Sequence, residues 1–175
     1  MKKALLIVAQ NGYQPVEYVD TKDELEKAGV SVTVASFEKA EAIASDGSKI
    51  MVDMGFNDVD VSDYSAVVLI GGPGSEVELR GNEKVKEIVQ SADNAHKVIA
   101  AICYSPVILA EARLLKDRKA AVWNLDGKQK EILAAEGATY SEEDVVIDTR
   151  IITANGPAAT RDFGKAIVKV LEEQG

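Results

Sequence analysis

The 175-residue sequence contains one cysteine, one histidine and one tryptophan. A single cysteine excludes an internal disulfide and is typical of a reducing compartment, so we expect a cytoplasmic protein. One histidine and one cysteine are too few soft ligands for a zinc site built within one chain. We therefore expect neither a metal nor a cofactor.

Basic charge and long apolar runs are also scarce. The formal net charge is −9, and lysine and arginine form no local stripe, which argues against a nucleic-acid surface. No apolar run approaches the length that spans a membrane, and the first residues lack the cleavage pattern of a signal peptide. We expect no nucleic-acid partner and no membrane partner.

Short apolar runs alternate with amphipathic stretches along the chain. The runs that predict strands are residues 4–9, 30–36, 66–70, 98–102, 119–123, 145–147 and 151–153. Predicted helices begin near Pro15, Asn82, Ser105, Lys128 and Ala159. Residues 42–44 and 50–52 flank Asp46-Gly47, which predicts a hairpin with its turn at these two residues. In the first helix, the residues predicted to form the apolar stripe are Val16, Val19, Leu25 and Ala28. Strands that are apolar on both faces are typical of a parallel sheet covered by helices. The alternation predicts one α/β domain over residues 1–175, a sandwich around a mostly parallel sheet.

Ligands bind beyond the carboxyl ends of the strands in an open parallel sheet. Four predicted loops lie at that edge of the sheet: residues 10–17, residues 71–76, the turn at Cys103, and residues 123–126. The least common residue types of the sequence fall in these loops, so we expect the functional site there.

Cys103 lies where a buried strand is followed at once by a helix. This placement is how α/β hydrolytic enzymes present a nucleophile on a sharp turn. The N-terminus of the following helix would favour the thiolate and lower the pKa of the thiol. The alternative is a buried structural cysteine, which is common for this residue type.

Five further residues are judged by their relation to Cys103. A backbone N–H in the Gly71-Gly72 turn and that of Tyr104 could form an oxyanion hole, although the glycines could also serve only a tight turn. Glu17 could face the thiol and carry protons, or it could simply complement the dipole of its helix. His96 precedes the strand that ends at Cys103, roughly 16 Å away, and is too distant to act as its base.

The same residues carry a family resemblance that runs along the whole chain. The matching stretches are residues 4–9, 15–17, 64–72, 80–82, 100–103, 106 and 151–157. As an ordered set they resemble the PfpI-type intracellular proteases, a class I glutamine amidotransferase-like superfamily that includes the Parkinson-associated deglycase and glyoxalase-like proteins. The resemblance implies a flavodoxin-like three-layer sandwich with a nucleophile elbow, and a homodimer or higher homo-oligomer.

The resemblance also implies roles for individual residues. Cys103 matches the nucleophile, and Glu17 matches the glutamate that is hydrogen-bonded to it. Gly72 and the Tyr104 backbone match the oxyanion donors. The pocket residues expected from the same likeness are Gly71, Trp123, Asn124 and Asn155.

Two departures from the family pattern bear on the reaction. Peptidase-like members carry histidine directly after the cysteine, followed by glycine, where this chain has Tyr104 and Ser105. Other members supply a histidine from the loop that here contains Trp123 and Asn124. Losing a general acid–base histidine costs a factor of roughly 10²–10⁴ in rate, which disfavours efficient peptide hydrolysis.

Three functions therefore remain open from the sequence. The first is a cysteine-dependent enzyme, a peptidase or hydrolase by family and more plausibly a glyoxalase-like or deglycase-like enzyme on small carbonyls. The second is a stress-response redox sensor in which Glu17 stabilises oxidised Cys103. The third is a scaffold with an inert cysteine.

Overall fold

Strands and helices alternate along the chain. The computed structural model describes residues 1–175. The strands are β1 (Lys3–Ile7), β2 (Asn11–Tyr13), β3 (Ser31–Ser36), β4 (Glu41–Ala44), β5 (Lys49–Met51), β6 (Met54–Gly55), β7 (Ala66–Leu69), β8 (Val98–Ile102), β9 (Lys119–Ala120), β10 (Thr139–Tyr140), β11 (Val145–Asp148) and β12 (Ile151–Ala154). The α-helices are α1 (Pro15–Lys27), α2 (Glu83–Asn94), α3 (Pro106–Glu111), α4 (Lys128–Ala135) and α5 (Thr160–Glu173). A π-helical turn covers Ser75–Leu79.

Seven strands form the central sheet in the order β11-β12-β8-β7-β1-β3-β6. Every neighbouring pair is parallel except β11 and β12, which form an antiparallel hairpin at one edge. The central strands β1, β7 and β8 are apolar and almost entirely buried, as strands covered on both faces must be. The predicted mostly parallel sheet is confirmed.

Helices cover both faces of this sheet and divide the core in two. One core packs α2, α3 and α4 against one set of strand side chains, and the other packs α1 and α5 against the alternate set. The period of two along each strand produces this division. The molecule is thus a three-layer, flavodoxin-like sandwich, as predicted. No helix has the length and apolar character needed to cross a membrane.

Helix α1 buries a different face from the one predicted. Val16, Val19 and Ala28 are exposed, and of the predicted stripe only Leu25 is buried. The buried face instead carries Glu17, Thr21 and Leu25, which are spaced four residues apart. This face packs on α5, where Gly164 lies so close that a Cβ there would be 2.7 Å from the Cβ of Glu24. The close approach of the two helices sets the rotation of α1 and turns Glu17 inward.

The sheet has its topological switch between β1 and β7. From β1 the chain crosses over α1 to β3 on one side, and β7 later joins on the other side. The loops that follow β1 and β7 therefore meet, and Gln14 donates its backbone N–H to the carbonyl of Gly71 at 2.9 Å. Such a crevice is where ligands bind in doubly wound folds.

Two predicted segments have different bounds. The strand predicted over residues 119–123 is reduced to β9, because the backbone beyond it leaves its partner β10 and the Trp123 N–H bonds to the Cys103 carbonyl at 2.8 Å. Within the predicted loop at residues 10–17, β2 pairs with β4, which joins the predicted 42–52 hairpin to the site.

Candidate active site

Cys103 occupies a strained turn between β8 and α3. Its φ angle is +63°, in the left-handed region that non-glycine residues rarely adopt. The turn is held by the Cys103 N–H, which donates to the Ala154 carbonyl at 3.0 Å, and by its carbonyl, which accepts from Trp123. Strain of about 1–2 kcal/mol is typical of nucleophile elbows. The predicted elbow is therefore present as a backbone geometry.

Glu17 lies beside Cys103 although the two are far apart in sequence. Its side chain is fully buried, and Oε1 accepts a hydrogen bond from the Gly71 N–H at 2.9 Å. A Cβ on Gly71 would lie 2.4 Å from the Cys103 Cβ and 2.6 Å from Glu17 Oε1. Only glycine fits there, because any side chain at position 71 would collide with both Cys103 and Glu17.

The second carboxyl oxygen of Glu17, Oε2, is buried and has no hydrogen-bond partner. The Cys103 thiol lies near enough to the carboxyl to lower its pKa, an effect smaller than that of burial. No cation contacts the carboxyl. Burial without a counter-charge raises the pKa of Glu17 to about 7, against the lowering effect of the Gly71 N–H.

The thiol shows the opposite shift from the one predicted. Burial, followed by the negative charge on Glu17, raises the pKa of Cys103 to about 12, and the N–H groups of Gly72 and Tyr104 only partly oppose this. Helix α3 has six residues and contributes little dipole. The expectation of a thiolate stabilised by the helix alone is therefore wrong.

The two groups nevertheless titrate as a pair. When the pair loses its first proton, the remaining proton can lie on the thiol or on the carboxyl. With Glu17 protonated, its charge no longer opposes the thiolate, and its O–H can donate to the sulfur. The first ionisation, near the Glu17 value of about 7, therefore falls mainly on the carboxyl, and a minor fraction of the pair carries the charge on the sulfur.

The N–H groups of Gly72 and Tyr104 both point at the sulfur. Gly72 has φ +117°, and a Cβ there would lie 2.5 Å from the Gln14 nitrogen. Glycine thus lets the loop after β7 press against the loop after β1, which aims its N–H at Cys103. These are the two donors predicted for an oxyanion hole.

A buried hydrogen-bond chain supports the Glu17 side of the site. Ser105 Oγ donates to the Ile70 carbonyl at 2.9 Å, and Ser75 Oγ donates to the same oxygen at 3.0 Å. That carbonyl and the Gly71 N–H belong to one peptide group, and the N–H donates to Glu17. Because hydrogen bonds on both ends of an amide polarise one another, Ser105 strengthens the Gly71 donor. Ser105 lies where the resemblance leads us to expect glycine, and it is fully buried.

Tyr104 turns its side chain to the other face of the sheet. Its hydroxyl accepts a hydrogen bond from Arg80 Nη1 at 3.0 Å, and Arg80 makes a bidentate ion pair with Glu111. Burial raises the pKa of the Tyr104 phenol above its usual value of about 10, so this hydroxyl cannot serve as a base at neutral pH.

A cavity of about 320 Å³ opens above the thiol. Its lining residues come from all four predicted loops and from two positions beyond them, and they are Gln14, Gly72, Pro73, Glu76, Cys103, Tyr104, Trp123, Gln129 and Pro157. Glu76 is the only lining residue with a charged side chain. The predicted pocket residues did not include Gln129, which carried no signal of its own, or Pro157, which appeared only as part of the matching stretch 151–157.

The other predicted pocket residues lie elsewhere. Gly71 is buried beneath the thiol. Asn124 and Asn155 line an adjoining cavity beyond Trp123 and do not line the Cys103 cavity. Asn124 accepts from the Lys130 N–H at 3.0 Å, and Asn155 donates to Asp144 at 3.0 Å, so both side chains support loops.

The single histidine is remote from the thiol. His96 is exposed and precedes β8, whereas Cys103 follows it, as predicted. No group of three or more histidine, cysteine, aspartate or glutamate side chains is placed to hold a metal ion. The acid–base group in contact with Cys103 is therefore Glu17.

A flavodoxin-like sandwich with a cysteine at a strand–helix elbow and a buried glutamate beside it defines a class of cysteine-elbow proteins. Within that class, this chain belongs to the DJ-1/PfpI family, whose family model matches residues 2–170.

Relatives match over nearly the whole chain. An uncharacterized protein of Methanocaldococcus jannaschii is 37% identical over 171 residues, covering 98% of this chain and 83% of that protein. Deglycase PfpI of Pyrococcus furiosus is 30% identical over 168 residues, covering 96% of this chain and 99% of the enzyme. The crystal structure of a ThiJ/PfpI domain protein from Brachyspira murdochii superposes with a TM-score of 0.93 at 28% identity, covering 98% of this chain and 96% of that chain.

Proposed function

We propose that this protein is a cysteine-dependent enzyme that acts on small uncharged dicarbonyl compounds, in the manner of a glyoxalase or deglycase. The observation that carries the proposal is the buried pair of Glu17 and Cys103, in which burial raises the pKa of the carboxyl to about 7. A carboxyl of that pKa both accepts and donates protons at neutral pH, which general acid–base catalysis requires.

The reaction begins when Cys103 Sγ adds to the aldehyde carbon of a 2-oxoaldehyde such as methylglyoxal. A carbon–sulfur bond forms, and the aldehyde oxygen becomes an oxyanion that accepts hydrogen bonds from the Gly72 and Tyr104 N–H groups before it is protonated. The product of this step is a hemithioacetal. No amine leaves, so the missing histidine has no role to fill.

Glu17 then moves one proton between adjacent carbons. It takes the proton from the carbon bonded to sulfur and returns a proton to the neighbouring carbon, which converts the hemithioacetal into a thioester of a 2-hydroxy acid. Water cleaves this thioester and restores the thiol. The net change is the addition of one water molecule, so methylglyoxal becomes lactate.

The charge around the cavity supports an uncharged substrate. Its lining includes Glu76 but no lysine or arginine, so nothing there would hold a carboxylate. The name of the Pyrococcus furiosus relative, a deglycase, supports carbonyl chemistry over peptide hydrolysis. Peptide hydrolysis would also need a proton donor for the leaving amine, and Glu17 would have to replace the usual histidine in that role.

The deciding experiment measures conversion of methylglyoxal to lactate by the wild-type protein and by Cys103→Ser and Glu17→Gln. We expect turnover in the wild type and loss of turnover to background in Cys103→Ser. Full activity in Cys103→Ser would exclude the cysteine mechanism.

A redox sensor is the second candidate, and one observation favours it specifically. The Glu17 carboxyl lies beside the thiol and its Oε2 has no partner, so once protonated it has an oxygen free to hydrogen-bond an oxygen on oxidised sulfur. If two molar equivalents of peroxide convert Cys103 through the sulfenic acid to sulfinic acid in intact-mass spectra while no dicarbonyl is turned over, the sensor role is favoured. An unreactive thiol in both assays would favour the inert scaffold.

We also propose that the chain forms a homodimer or higher homo-oligomer. Val16 and Val19 are 40% and 55% exposed on α1, on either side of the buried Glu17. Burying these side chains between copies would remove apolar surface from water next to the site. Light scattering should give a mass above one chain, and Val19→Lys should lower it; a monomeric wild type would contradict the proposal.

A further inference from the structure

A second cavity adjoins the one above Cys103. It has a volume of about 360 Å³ and shares Trp123 and Pro157 with the first cavity. The residues that line only the second cavity include Asn124, Leu125, Tyr140, Asp144, Asn155 and Ala158. The two spaces are therefore neighbours across the Trp123 side chain.

Trp123 is held firmly in this dividing position. Its backbone N–H donates to the Cys103 carbonyl at 2.8 Å, which ties the tryptophan to the elbow itself. Its ring packs on Gly156, where a Cβ would lie 2.7 Å from Cε3. Any side chain at position 156 would push the ring away. The ring is 40% exposed and presents apolar surface to a ligand at the mouth of both cavities.

The lining of the second cavity is mainly apolar and contains no lysine or arginine. Trp123, Leu125 and Ala158 offer exposed apolar surface. The amides of Asn124 and Asn155 are engaged in hydrogen bonds with the protein. Lys130 lies outside the lining, with its ammonium 5.2 Å from the centroid of the Tyr140 ring.

The only charged side chain that lines the second cavity is acidic. This side chain is Asp144, and the only charged side chain that lines the first cavity, Glu76, is acidic as well. An anionic ligand group would meet like charge in both spaces, whereas an aryl or branched alkyl group would bury apolar surface without leaving a charge unpaired.

We propose that the second cavity is a specificity subsite that binds an uncharged apolar arm of the substrate, aryl or branched alkyl, while the aldehyde reacts at Cys103. The reaction of the aldehyde at Cys103 rests on the proposed function, whereas the binding of the apolar arm in the second cavity does not depend on it. The subsite makes arylglyoxals better substrates than methylglyoxal and makes carboxylate-bearing aldehydes such as glyoxylate poor ones.

The kinetic test compares kcat/KM for phenylglyoxal with kcat/KM for methylglyoxal. Ala158→Leu fills part of the second cavity from an exposed position, so the fold should tolerate it. We expect the phenylglyoxal-to-methylglyoxal ratio to fall on the order of tenfold, as changes of a few methylene groups in apolar pockets do. Ala95→Leu, a matched change at an exposed alanine next to His96, should leave the ratio unchanged. An unchanged ratio in Ala158→Leu would overturn the subsite.

A binding test separates the subsite from the chemistry. Trp123 is the only tryptophan, so intrinsic tryptophan fluorescence reports on this position alone. Acetophenone, an unreactive aryl ketone, should change the emission of Cys103→Ser, and adding Ala158→Leu should raise its Kd about tenfold. If acetophenone binds in this way but no dicarbonyl is turned over, the proposed function fails and the subsite stands. No change in emission, or the same Kd with Ala158→Leu, would overturn the subsite even in an active enzyme.

Discussion

Two glutamates lie on opposite sides of the Cys103–Tyr104 turn, and their surroundings differ in one respect. Glu111 on α3 makes a bidentate ion pair with Arg80, at 2.7 Å for its shortest contact, and Arg80 in turn holds the Tyr104 hydroxyl. Glu17 on α1 is more deeply buried and has no cation beside it.

The difference teaches how the same side chain becomes structural or reactive. A carboxylate paired with arginine has its charge balanced and its oxygens occupied, so it anchors its neighbours. A buried carboxyl without a cation is destabilised when charged, so it retains a proton near neutral pH. Glu111 thus fixes Tyr104, while Glu17 is left to exchange protons with Cys103.

The largest expected effect separates the two glutamates by activity. Glu17→Gln keeps the shape of the side chain but cannot carry a proton, so kcat/KM for methylglyoxal should fall by roughly 10²–10⁴. Glu111→Gln should change it by only a few-fold. Equal losses in the two variants would mean that Glu17 acts only as a packing residue.

The two glutamates should also differ in how stability depends on pH. The pKa of Glu17 is about 7 in the folded protein and near 4.5 in the unfolded chain. The folded state therefore binds more protons between these values, and the free energy of unfolding falls as pH rises from 4.5 to 7, by about 3 kcal/mol. Urea unfolding at pH 4.5 and pH 8 should show this fall in the wild type and not in Glu17→Gln. A parallel pH dependence in both proteins would contradict the burial argument.

A smaller effect of opposite sign is expected at the ion pair. Glu111→Gln leaves Arg80 without its partner in a half-buried position, so the free energy of unfolding should drop by about 1 kcal/mol at pH 8. Glu17→Gln should raise it at the same pH, because an uncompensated buried charge is removed. Urea denaturation of both variants at pH 8 measures the two changes in the free energy of unfolding. Two changes of the same sign would contradict the comparison.

The smallest expected effect lies in the hydrogen-bond chain behind Glu17. Ser105→Ala removes a donor to the Ile70 carbonyl, which weakens the Gly71 N–H as a partner of the carboxylate and should raise the pKa of Glu17 by about half a unit. The carboxylic acid band in infrared spectra, assigned by its absence in Glu17→Gln, follows this titration. Ser141→Ala is the matched control, at a buried serine whose hydroxyl hydrogen-bonds Glu143 and not the groups behind Glu17. If the titration midpoint of Glu17 is the same in Ser105→Ala and in the wild type, the hydrogen-bond chain does not influence the carboxyl.

Sequence patterns predicted the parts of the fold that depend on local apolar runs. The strand before Cys103 is apolar at every position, and Ser105-Pro106 starts a helix at once, so the elbow could be located from the sequence. The hairpin at Asp46-Gly47 followed from its turn residues in the same way.

The sequence pattern failed where a contact between distant elements decides the outcome. The exposed side of α1 carries Val16 and Val19, and its buried side carries Glu17 and Thr21, because α5 approaches closely at Gly164. Hydrophobicity along one helix cannot reveal this rotation. The raised pKa of Cys103 was also missed, since burial by neighbouring loops outweighs the short helix that follows.

The pH dependence of Cys103 alkylation by iodoacetamide tests most directly whether the thiol and Glu17 share a proton. In the wild type, the rate should rise through an apparent pKa near 7, the first ionisation of the pair, well below the free-thiol value of about 8.5. In Glu17→Gln that step should vanish and the rate should rise only at higher pH, because burial continues to oppose the thiolate. Profiles that coincide in the two proteins, with a midpoint at the free-thiol value, would contradict the account.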